Sequence, residues 1–276
     1  MITVNLFDNN FEHTKNILGL YTSTYLYPPK EIKWEYRNLK YDGITVFTDS
    51  MIFDPVVDTV ESNLKIAWIM EPPAIHPHVY NNIINFENKF DYILTFDESL
   101  LNRGKKYIKY IVGQSRVPDD IANIYPKYKK ISLISSGKQI SNGHRYRAEV
   151  ANDLADKYNI DLWGYAYRAF ENKIEPLQDY EFSIAITNSR IENYFTEILL
   201  DCFRLGTIPI FWGCPNISNY FDIRGMETFN TISELEDTLK NLKPYSEYLE
   251  YAKINFELCK EYIHTDDYIA KILKKL

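Results

Sequence analysis

Four polar residues stand where an apolar run gives way to a helical pattern. Asn188 and Ser189 end a run typical of a buried strand, and Thr196 and Glu197 open a helix that Gly206 closes. A strand end facing a helix N-terminus is where open α/β sheets bind phosphates, because free backbone N–H groups and the helix dipole point at the ligand. Glu197 could accept hydrogen bonds from two ribose hydroxyls. Alternatively, Thr196 only caps the helix and Glu197 only places a charge in its first turn.

A carboxylate in the first half of the chain has the setting of a general base. Glu71 follows the strand-like run Lys65–Met70 and precedes Pro72 and Pro73. Two prolines make a rigid turn, so a carboxylate at this strand end is well placed to project into a cleft. A carboxylate can act as a general base if it can reach the substrate proton. The alternative is that Glu71 only caps a turn.

The motifs that the sequence lacks exclude several chemistries. There is no G-x-G-x-x-G after a strand, no G-x-x-x-x-G-K-[ST] and no G-x-S-x-G, which argues against a dinucleotide oxidoreductase, a P-loop NTPase and a nucleophile elbow. No Asp-x-Asp triplet occurs to hold a divalent metal and a sugar diphosphate. His76 and His78 flank Pro77, but such a pair on a loop is more often a surface feature, so we expect no metal site.

The composition indicates a globular protein without a nucleic-acid partner. The 276 residues are 45% hydrophobic and 25% charged, which is ordinary for a chain with a real core. The formal net charge of -7 argues against nucleic acid, because phosphate backbones attract basic surfaces. Cys202, Cys214 and Cys259 are scattered, so we expect free thiols in a reducing compartment.

The start of the chain predicts its location. A strand-like run, Ile2–Phe7, begins at once, with no basic or apolar leader ahead of it. No stretch approaches the roughly 18 apolar residues of a membrane span. We therefore expect no transmembrane segment and a cytoplasmic location, or a catalytic domain cut from something longer.

Short apolar runs alternate with helical patterns, which predicts parallel sheets covered by helices. The predicted strands are Ile2–Phe7, Ile32–Tyr36, Ile44–Thr48, Lys65–Met70, Tyr92–Phe96, Tyr107–Val112, Ile131–Ser135, Ile160–Gly164, Phe182–Thr187 and Thr207–Trp212. The predicted helices are Val79–Phe90, Tyr146–Tyr158, Phe195–Leu205 and Ile232–Leu242. The prolines and lysines of Pro118–Lys130 indicate a linker or a surface crossing, and we place the domain boundary there. We predict α/β domains at 1–120 and 130–245, with C-terminal helices at 246–276 packing back on them.

The block from Ile184 to Pro215 resembles the family 10 glycosyltransferases, the α1,3/α1,4-fucosyltransferases. That family carries F-x-F-E-N-S, then Y-[VI]-T-E-K, then a helix, then G-[TA]-[VI]-P-[VI]-[YV]-W-G-x-P. This chain reads I-A-I-T-N-S from Ile184, Y-F-T-E-I from Tyr194 and G-T-I-P-I-F-W-G-C-P from Gly206. The match is long and correctly spaced, and the resemblance runs from Lys65 to Ser233.

The resemblance implies a GT-B-like α/β fold, in which two Rossmann-like domains face each other across a cleft. Residues 1–120 would hold the acceptor and residues 130–245 the donor nucleotide. By its place in the pattern, Arg147 would contact the donor diphosphate, which an arginine can hold bidentately; a solvated arginine on a helix face is the alternative. The other implied donor contacts are Asn188, Ser189, Arg190, Tyr194, Thr196 and Glu197.

The resemblance also implies a reaction. Glu71 takes the place of the family's catalytic base, whose E-S-P triplet reads Glu71-Pro72-Pro73 here. The implied transfer is inverting and metal-independent and uses no cofactor. GDP-fucose or another nucleotide sugar would be the donor substrate, and a glycan hydroxyl would be the acceptor.

Two positions depart from the family pattern. The T-E-K lysine, expected to contact the donor phosphates, is Ile198 here, and the F-E-N-S glutamate is Thr187. An isoleucine supplies no charge, and one lost charge-assisted contact is worth roughly 1.5–3 kcal/mol. Arg190 or Arg145 could supply the charge instead. The alternatives are a same-fold transferase with a different nucleotide-sugar donor, and a catalytically silent relative that binds a nucleotide or glycan.

Overall fold

The computed structural model describes residues 1–9, 13, 14, 17, 18 and 29–276. Its strands are β1 Ile2–Phe7, β2 His13–Thr14, β3 Ile17–Leu18, β4 Ile32–Tyr36, β5 Lys40–Thr48, β6 Glu61–Trp68, β7 Tyr92–Thr95, β8 Tyr107–Lys109, β9 Lys129–Ile134, β10 Ile160–Trp163, β11 Tyr180–Ile186, β12 Ile208–Trp212 and β13 Glu227–Thr228. Its α-helices are α1 Val56–Thr59, α2 Pro77–Phe86, α3 Glu98–Leu101, α4 Asn142–Glu149, α5 Ala155–Tyr158, α6 Glu197–Leu205, α7 Ile232–Lys240, α8 Leu249–Leu258 and α9 Thr265–Leu273, and a π-helical turn, Val150–Leu154, joins α4 to α5.

The chain divides into two compact units, each built on a parallel sheet. The first unit comprises Met1–Val112 and His264–Leu276, and the second comprises Gly113–Ile263. The sheet of the first unit has six strands in the order β4-β1-β5-β6-β7-β8, and that of the second has five in the order β10-β9-β11-β12-β13. Two parallel sheets with helices confirm the predicted α/β, GT-B-like class with its two Rossmann-like domains.

Both faces of the first sheet are covered, which explains why its strands are apolar runs instead of alternating patterns. Successive residues of a strand point to opposite faces, and the two cores follow this rule. Trp68 on β6 packs in a cluster with Ile269 and Leu273 of α9. Phe47 on β5 packs in another with Ile83 of α2.

The helices predicted at 246–276 are shared between the units. Helix α8 lies in the second unit, whereas α9 lies in the first, where Ile269 and Leu273 are fully buried beside Trp68. The apolar spacing of α9 indicates an amphipathic helix, but spacing alone does not say which sheet its apolar face covers.

The chain passes from one unit to the other at Val112 and Gly113, ahead of the predicted linker Pro118–Lys130. That segment packs within the second unit. The Lys127 Nζ donates to the Leu205 carbonyl at 2.7 Å and to the Thr207 Oγ1 at 3.1 Å. Burial lowers the pKa of Lys127 to about 7. Lysines usually remain in water, so the composition suggested a solvated linker, whereas this ammonium binds oxygens at the C-terminal end of α6.

The second sheet sets where a ligand can bind. β10 lies on one side of β9, whereas β11, β12 and β13 follow on the other side. The strand order therefore reverses between β9 and β11, and the carboxyl ends of neighbouring strands at such a switch point form a binding crevice. α4 follows β9, and α6 follows β11. The N-termini of these two helices flank the crevice.

Among the residues that the structure describes, no helix is both long and apolar enough to cross a membrane. Cys202, Cys214 and Cys259 are free and buried.

We expect two buried aspartates to make the folded state less stable as the pH rises from about 5 to about 8. Asp266 is buried and accepts a hydrogen bond from the Trp34 Nε1 at 3.2 Å. Burial raises the pKa of Asp266 to about 8 and that of Asp49 to about 7, above the value of about 4 for an exposed aspartate. The folded state therefore favours the protonated acids. Their stabilising contribution is complete below about pH 4 and is lost as the pH rises through these folded-state pKa values.

Thermal unfolding followed between about pH 5 and about pH 9 checks this expectation. Asp266→Asn removes the ionisation but keeps an oxygen for Trp34, so its melting temperature should fall less with pH than that of the wild type. The exposed Asp42 supplies a control, since Asp42→Asn should follow the wild type. A melting temperature of Asp266→Asn that falls with pH as steeply as that of the wild type would contradict the assignment.

Candidate functional site

The central strand of the second unit, β11, ends in a buried polar turn. Thr187 is fully buried, and its Oγ1 donates to the Ser189 carbonyl at 2.8 Å. The Thr187 N–H donates to the Trp212 carbonyl at 3.0 Å, which ties the turn to the end of β12. Where the family motif has a glutamate, this chain has Thr187, whose hydroxyl closes the turn. Asn188 and Ser189 are fixed at the carboxyl edge of the sheet.

Helix α4 begins directly against this turn. Ser141 is its N-cap, and the Ser141 Oγ accepts from the His144 N–H at 3.4 Å. The Gly143 N–H donates to the Asn188 carbonyl at 3.2 Å. A Cβ on Gly143 would lie 1.7 Å from the Thr187 carbonyl oxygen, so only glycine allows this approach. The close approach lets the next turn of α4 deliver a side chain to the end of β11.

Arg147 is that side chain, and it is only 6% exposed. Its Nη1 donates to the Ile186 carbonyl and its Nη2 to the Asn188 Oδ1, both at 2.9 Å. Burial lowers the pKa of the Arg147 guanidinium, and the charges of Glu197 and Tyr194 act against that shift. The structure therefore brings Arg147 and Asn188 into contact. It also places Glu197 and Tyr194 near enough for their charges to raise the pKa of Arg147.

Two buried polar atoms at this edge have no hydrogen-bond partner within the described ranges, the Arg147 Nε and the Ser189 Oγ. No carboxylate of the described residues forms an ion pair with Arg147; its two bonds go to neutral oxygens. A buried cation without an anion is costly, and a buried donor without an acceptor costs about 1–3 kcal/mol. Such a group is suited to an anionic ligand that enters from the solvent.

The N-terminus of α6 completes the edge. Thr196 is its N-cap, in an extended conformation with φ −132°, and its side chain makes no capping hydrogen bond. This finding goes against the alternative that Thr196 serves only as a cap. Glu197 is the first helical residue, and its Oε1 lies 4.0 Å from the Arg116 Nη2. Burial raises the pKa of Glu197, but the charges of Arg116 and Lys173 outweigh it, so the pKa lies below its usual value.

The other two candidate arginines do not join this group. Arg190 is exposed, and its Nη2 donates to the Asn230 Oδ1, at a cavity of about 220 Å³ beside the ends of β12 and β13. Arg145 is also exposed, and its guanidinium binds the Asn142 Oδ1 within the first turn of α4. Neither contact directs a charge toward Ile198.

Sequence reasoning missed Arg116 and His144. Arg116 is held beside Glu197 by a hydrogen bond from its N–H to Asp201, which is 85 residues away in sequence, and no local pattern reveals such a contact. His144 is buried, and burial, reinforced by the charge of Arg147, lowers its pKa to about 4. It is therefore neutral near pH 7, and its Nδ1 lies 2.7 Å from the Ser141 Oγ. The one available signal was its place three residues before Arg147, in the first turn of a helix.

In the first unit, Glu71 follows the carboxyl end of β6, as its position after an apolar run predicts. The Met70 N–H donates to the Asp49 Oδ1 at 2.9 Å, and the Glu71 N–H approaches the same oxygen at 3.4 Å. The Tyr80 hydroxyl donates to the Glu71 carbonyl at 2.8 Å. These contacts fix the main chain at Glu71 and leave its side chain half-buried. The residue therefore has the rigid setting that a general base requires.

The histidine pair of the same unit lies at the start of α2. The rings of His76 and His78 are 5.5 Å apart, and burial lowers the pKa of His76. In the described part of the chain, no three His, Cys, Asp or Glu side chains are grouped to hold a metal ion.

Parts of the sequence are similar to known fucosyltransferases. Part of the chain is 29% identical over 73 residues to the α-(1,3)-fucosyltransferase FucT of Helicobacter pylori, covering 26% of this chain and 15% of that protein. It is 29% identical over 124 residues to mouse 4-galactosyl-N-acetylglucosaminide 3-α-L-fucosyltransferase 9, covering 41% of this chain and 34% of the relative. The matches thus span well under half the length of these relatives.

A solved structure shows the same fold. The crystal structure of an α1,3-fucosyltransferase with GDP superposes with a TM-score of 0.55 at 16% identity, covering 88% of this chain and 79% of that one. The sequence model of glycosyltransferase family 10 (fucosyltransferase), C-terminal region, matches residues 125–271. That match includes α4, the β11 turn and α6, the elements that build the arginine site. The chain belongs to glycosyltransferase family 10.

Proposed function

We propose that this chain transfers fucose from GDP-fucose to a hydroxyl group of a glycan acceptor. One observation carries the proposal: the Arg147 guanidinium is buried at the end of β11, held by two neutral oxygens and without an ion-pair partner in the described residues. A diphosphate would supply the missing anion and could accept from the Arg147 Nε. The N-terminus of α6 favours the same negative charge.

The relatives support a GDP-linked donor. The α1,3-fucosyltransferase of the same fold was solved with GDP. Asn188, Ser189, Tyr194, Thr196 and Glu197 retain the residue types of the family motif. In this proposal Glu197 accepts from the ribose hydroxyls, because a carboxylate in the first turn of α6 lies beside the phosphates held at the helix end.

The proposed mechanism is a single in-line displacement. The Glu71 carboxylate removes the proton of the acceptor hydroxyl as that oxygen attacks the anomeric carbon from the face opposite the nucleotide. The bond between the anomeric carbon and the diphosphate oxygen breaks as the new bond forms, so the configuration inverts. Arg147 neutralises the negative charge that grows on the departing diphosphate. In this scheme the Arg147 guanidinium meets the charge, and no metal ion takes part.

A second candidate function follows from Ile198. A chain without the family lysine could bind a nucleotide or glycan and not turn it over, or could use another nucleotide sugar. Each alternative keeps the Arg147 site and differs in what happens to the bound donor.

An assay with several donors separates these functions. GDP-fucose, GDP-mannose, UDP-glucose and UDP-N-acetylglucosamine are each incubated with the protein and a panel of glycans in EDTA, and the released nucleotide is measured. We expect release of GDP from GDP-fucose that depends on a glycan and is unaffected by EDTA. Release of nucleotide from another sugar nucleotide would identify that compound as the donor. Binding of a sugar nucleotide without release would favour the catalytically silent relative.

A further inference from the structure

A segment of the second unit that precedes β9 lies along α6. We call Gly113–Asp119 the strap. The carboxylate of Asp201, which is buried on α6, accepts from the Ser115 Oγ and from the Arg116 N–H, both at 2.7 Å. The Gly113 N–H donates to the Phe195 carbonyl at 3.2 Å, just before the helix. The strap therefore reaches the N-terminus of α6 with its main chain fixed.

The far end of the strap is held equally firmly. Arg204, in the last turn of α6, is 3% exposed. Its Nη2 donates to the Val117 carbonyl at 3.0 Å and pairs with the Asp119 carboxylate at 2.6 Å. With both ends fixed, the main chain at position 116 is held by contacts that do not depend on what the Arg116 side chain binds.

Arg116 has spare hydrogen-bonding capacity at this position. Its Nη2 lies 4.0 Å from the Glu197 Oε1, the outer limit of an ion pair, and the two side chains are 33% and 24% exposed. Its Nε is buried and has no hydrogen-bond partner in the part of the chain described. The guanidinium is thus oriented by Glu197 and keeps donors for a ligand that reaches the helix end from the solvent.

Glu197 lies between two arginines in its electrostatic interactions. Against the effect of burial, the charges of Arg116 and Lys173 lower the pKa of Glu197, and against burial the charge of Glu197 raises the pKa of Arg147, so this carboxylate interacts with all three cations. These three cations and the positive end of the α6 dipole exceed the two carboxylates of this helix end, Glu197 and Asp201. This excess suits a ligand with more than one negative charge, such as a diphosphate.

We propose that Arg116 binds the donor diphosphate together with Arg147 and so supplies the positive charge that Ile198 does not. This role rests on the proposed function. It replaces Arg190 and Arg145 as the source of the second cation, because both of those side chains are exposed and bound elsewhere.

Displacement of a fluorescent GDP analogue gives dissociation constants for GDP and for guanosine, which has the ribose but no phosphate. Arg116→Gln should weaken GDP binding by about ten- to a hundredfold, the effect of one lost charge-assisted contact, and leave guanosine binding unchanged. Adding Ile198→Lys to that variant places an ammonium beside Glu197 and should restore most of the affinity for GDP. Arg224→Gln, at an exposed arginine paired with Asp222, is the matched control and should bind as the wild type does.

Arg116→Gln should keep the fold, because Asp201 accepts a hydrogen bond from the main-chain N–H of residue 116 and not from its side chain. Equal losses for GDP and guanosine would mean that Arg116 only orients Glu197 toward the ribose, and would overturn the proposal. Unchanged GDP affinity in Arg116→Gln would overturn it as well, while leaving the proposed function intact. A wild-type chain that binds no GDP would instead remove the proposed function and this role with it.

Discussion

Glu71→Gln should slow sugar transfer by about a hundred- to ten-thousandfold and leave GDP binding unchanged. Glutamine has the shape of glutamate but cannot take up the acceptor proton. The contacts that fix residue 71 involve its main chain, since its N–H approaches the Asp49 Oδ1 and its carbonyl accepts from Tyr80. The substitution leaves these main-chain contacts in place, so residue 71 keeps its position at the end of β6.

The rate of GDP release that depends on acceptor measures this effect. Glu61→Gln is the matched control, because Glu61 lies on the same strand, β6, and its side chain is 72% exposed. It should transfer at the wild-type rate. Near-normal transfer by Glu71→Gln would show that another group is the base.

Arg147→Met should reduce GDP affinity by about thirtyfold or more, because a buried, hydrogen-bonded charge is worth 2 kcal/mol or more to its ionic partner. In contrast, the free energy of unfolding without ligand should change by less than about 2 kcal/mol. Removing a buried cation that lacks an anion is favourable, and this gain offsets the loss of hydrogen bonds to the Ile186 carbonyl and the Asn188 Oδ1.

Calorimetric titration with GDP and denaturant unfolding of the same preparation separate the two effects. Arg168→Met is a suitable comparison, because that guanidinium stacks 4.2 Å from the Trp163 ring centroid in the same unit. It should keep full GDP affinity. If Arg147→Met unfolded the chain, or bound GDP as tightly as the wild type, Arg147 would be a structural residue and not a ligand.

Local patterns in the sequence predict much of the fold. β1 and β4 have the predicted bounds, and β11 and β12 are recognisable as buried apolar runs. Gly206, with φ 68°, ends α6 as a C-terminal glycine does. The exceptions are short elements, which have too few residues to show a period: the two-residue strands β2, β3 and β13 and the four-residue helices α1 and α3. Hydrophobic periodicity and helix capping depend on residues that are close in sequence, so both can be recognised in a single sequence.

The candidate site was predictable only where a motif marks it. The order Asn188, Thr196, Glu197 follows the family block, and the structure places all three at one sheet edge. The contact between Arg116 and Glu197 joins distant segments through tertiary packing, which no spacing rule contains. Arg190 lies in the expected loop, but its side chain turns to Asn230. A sequence gives the position of a residue in a loop and not the direction of its side chain.

We expect the sheet edge at Arg147 to bind a nucleoside diphosphate. Calorimetric titration of the wild-type chain with GDP, UDP, ADP and CMP, each without and with Mg²⁺, tests it most directly. We predict that GDP binds most tightly and that Mg²⁺ does not change its affinity. Failure of every one of these nucleotides to bind would contradict the account.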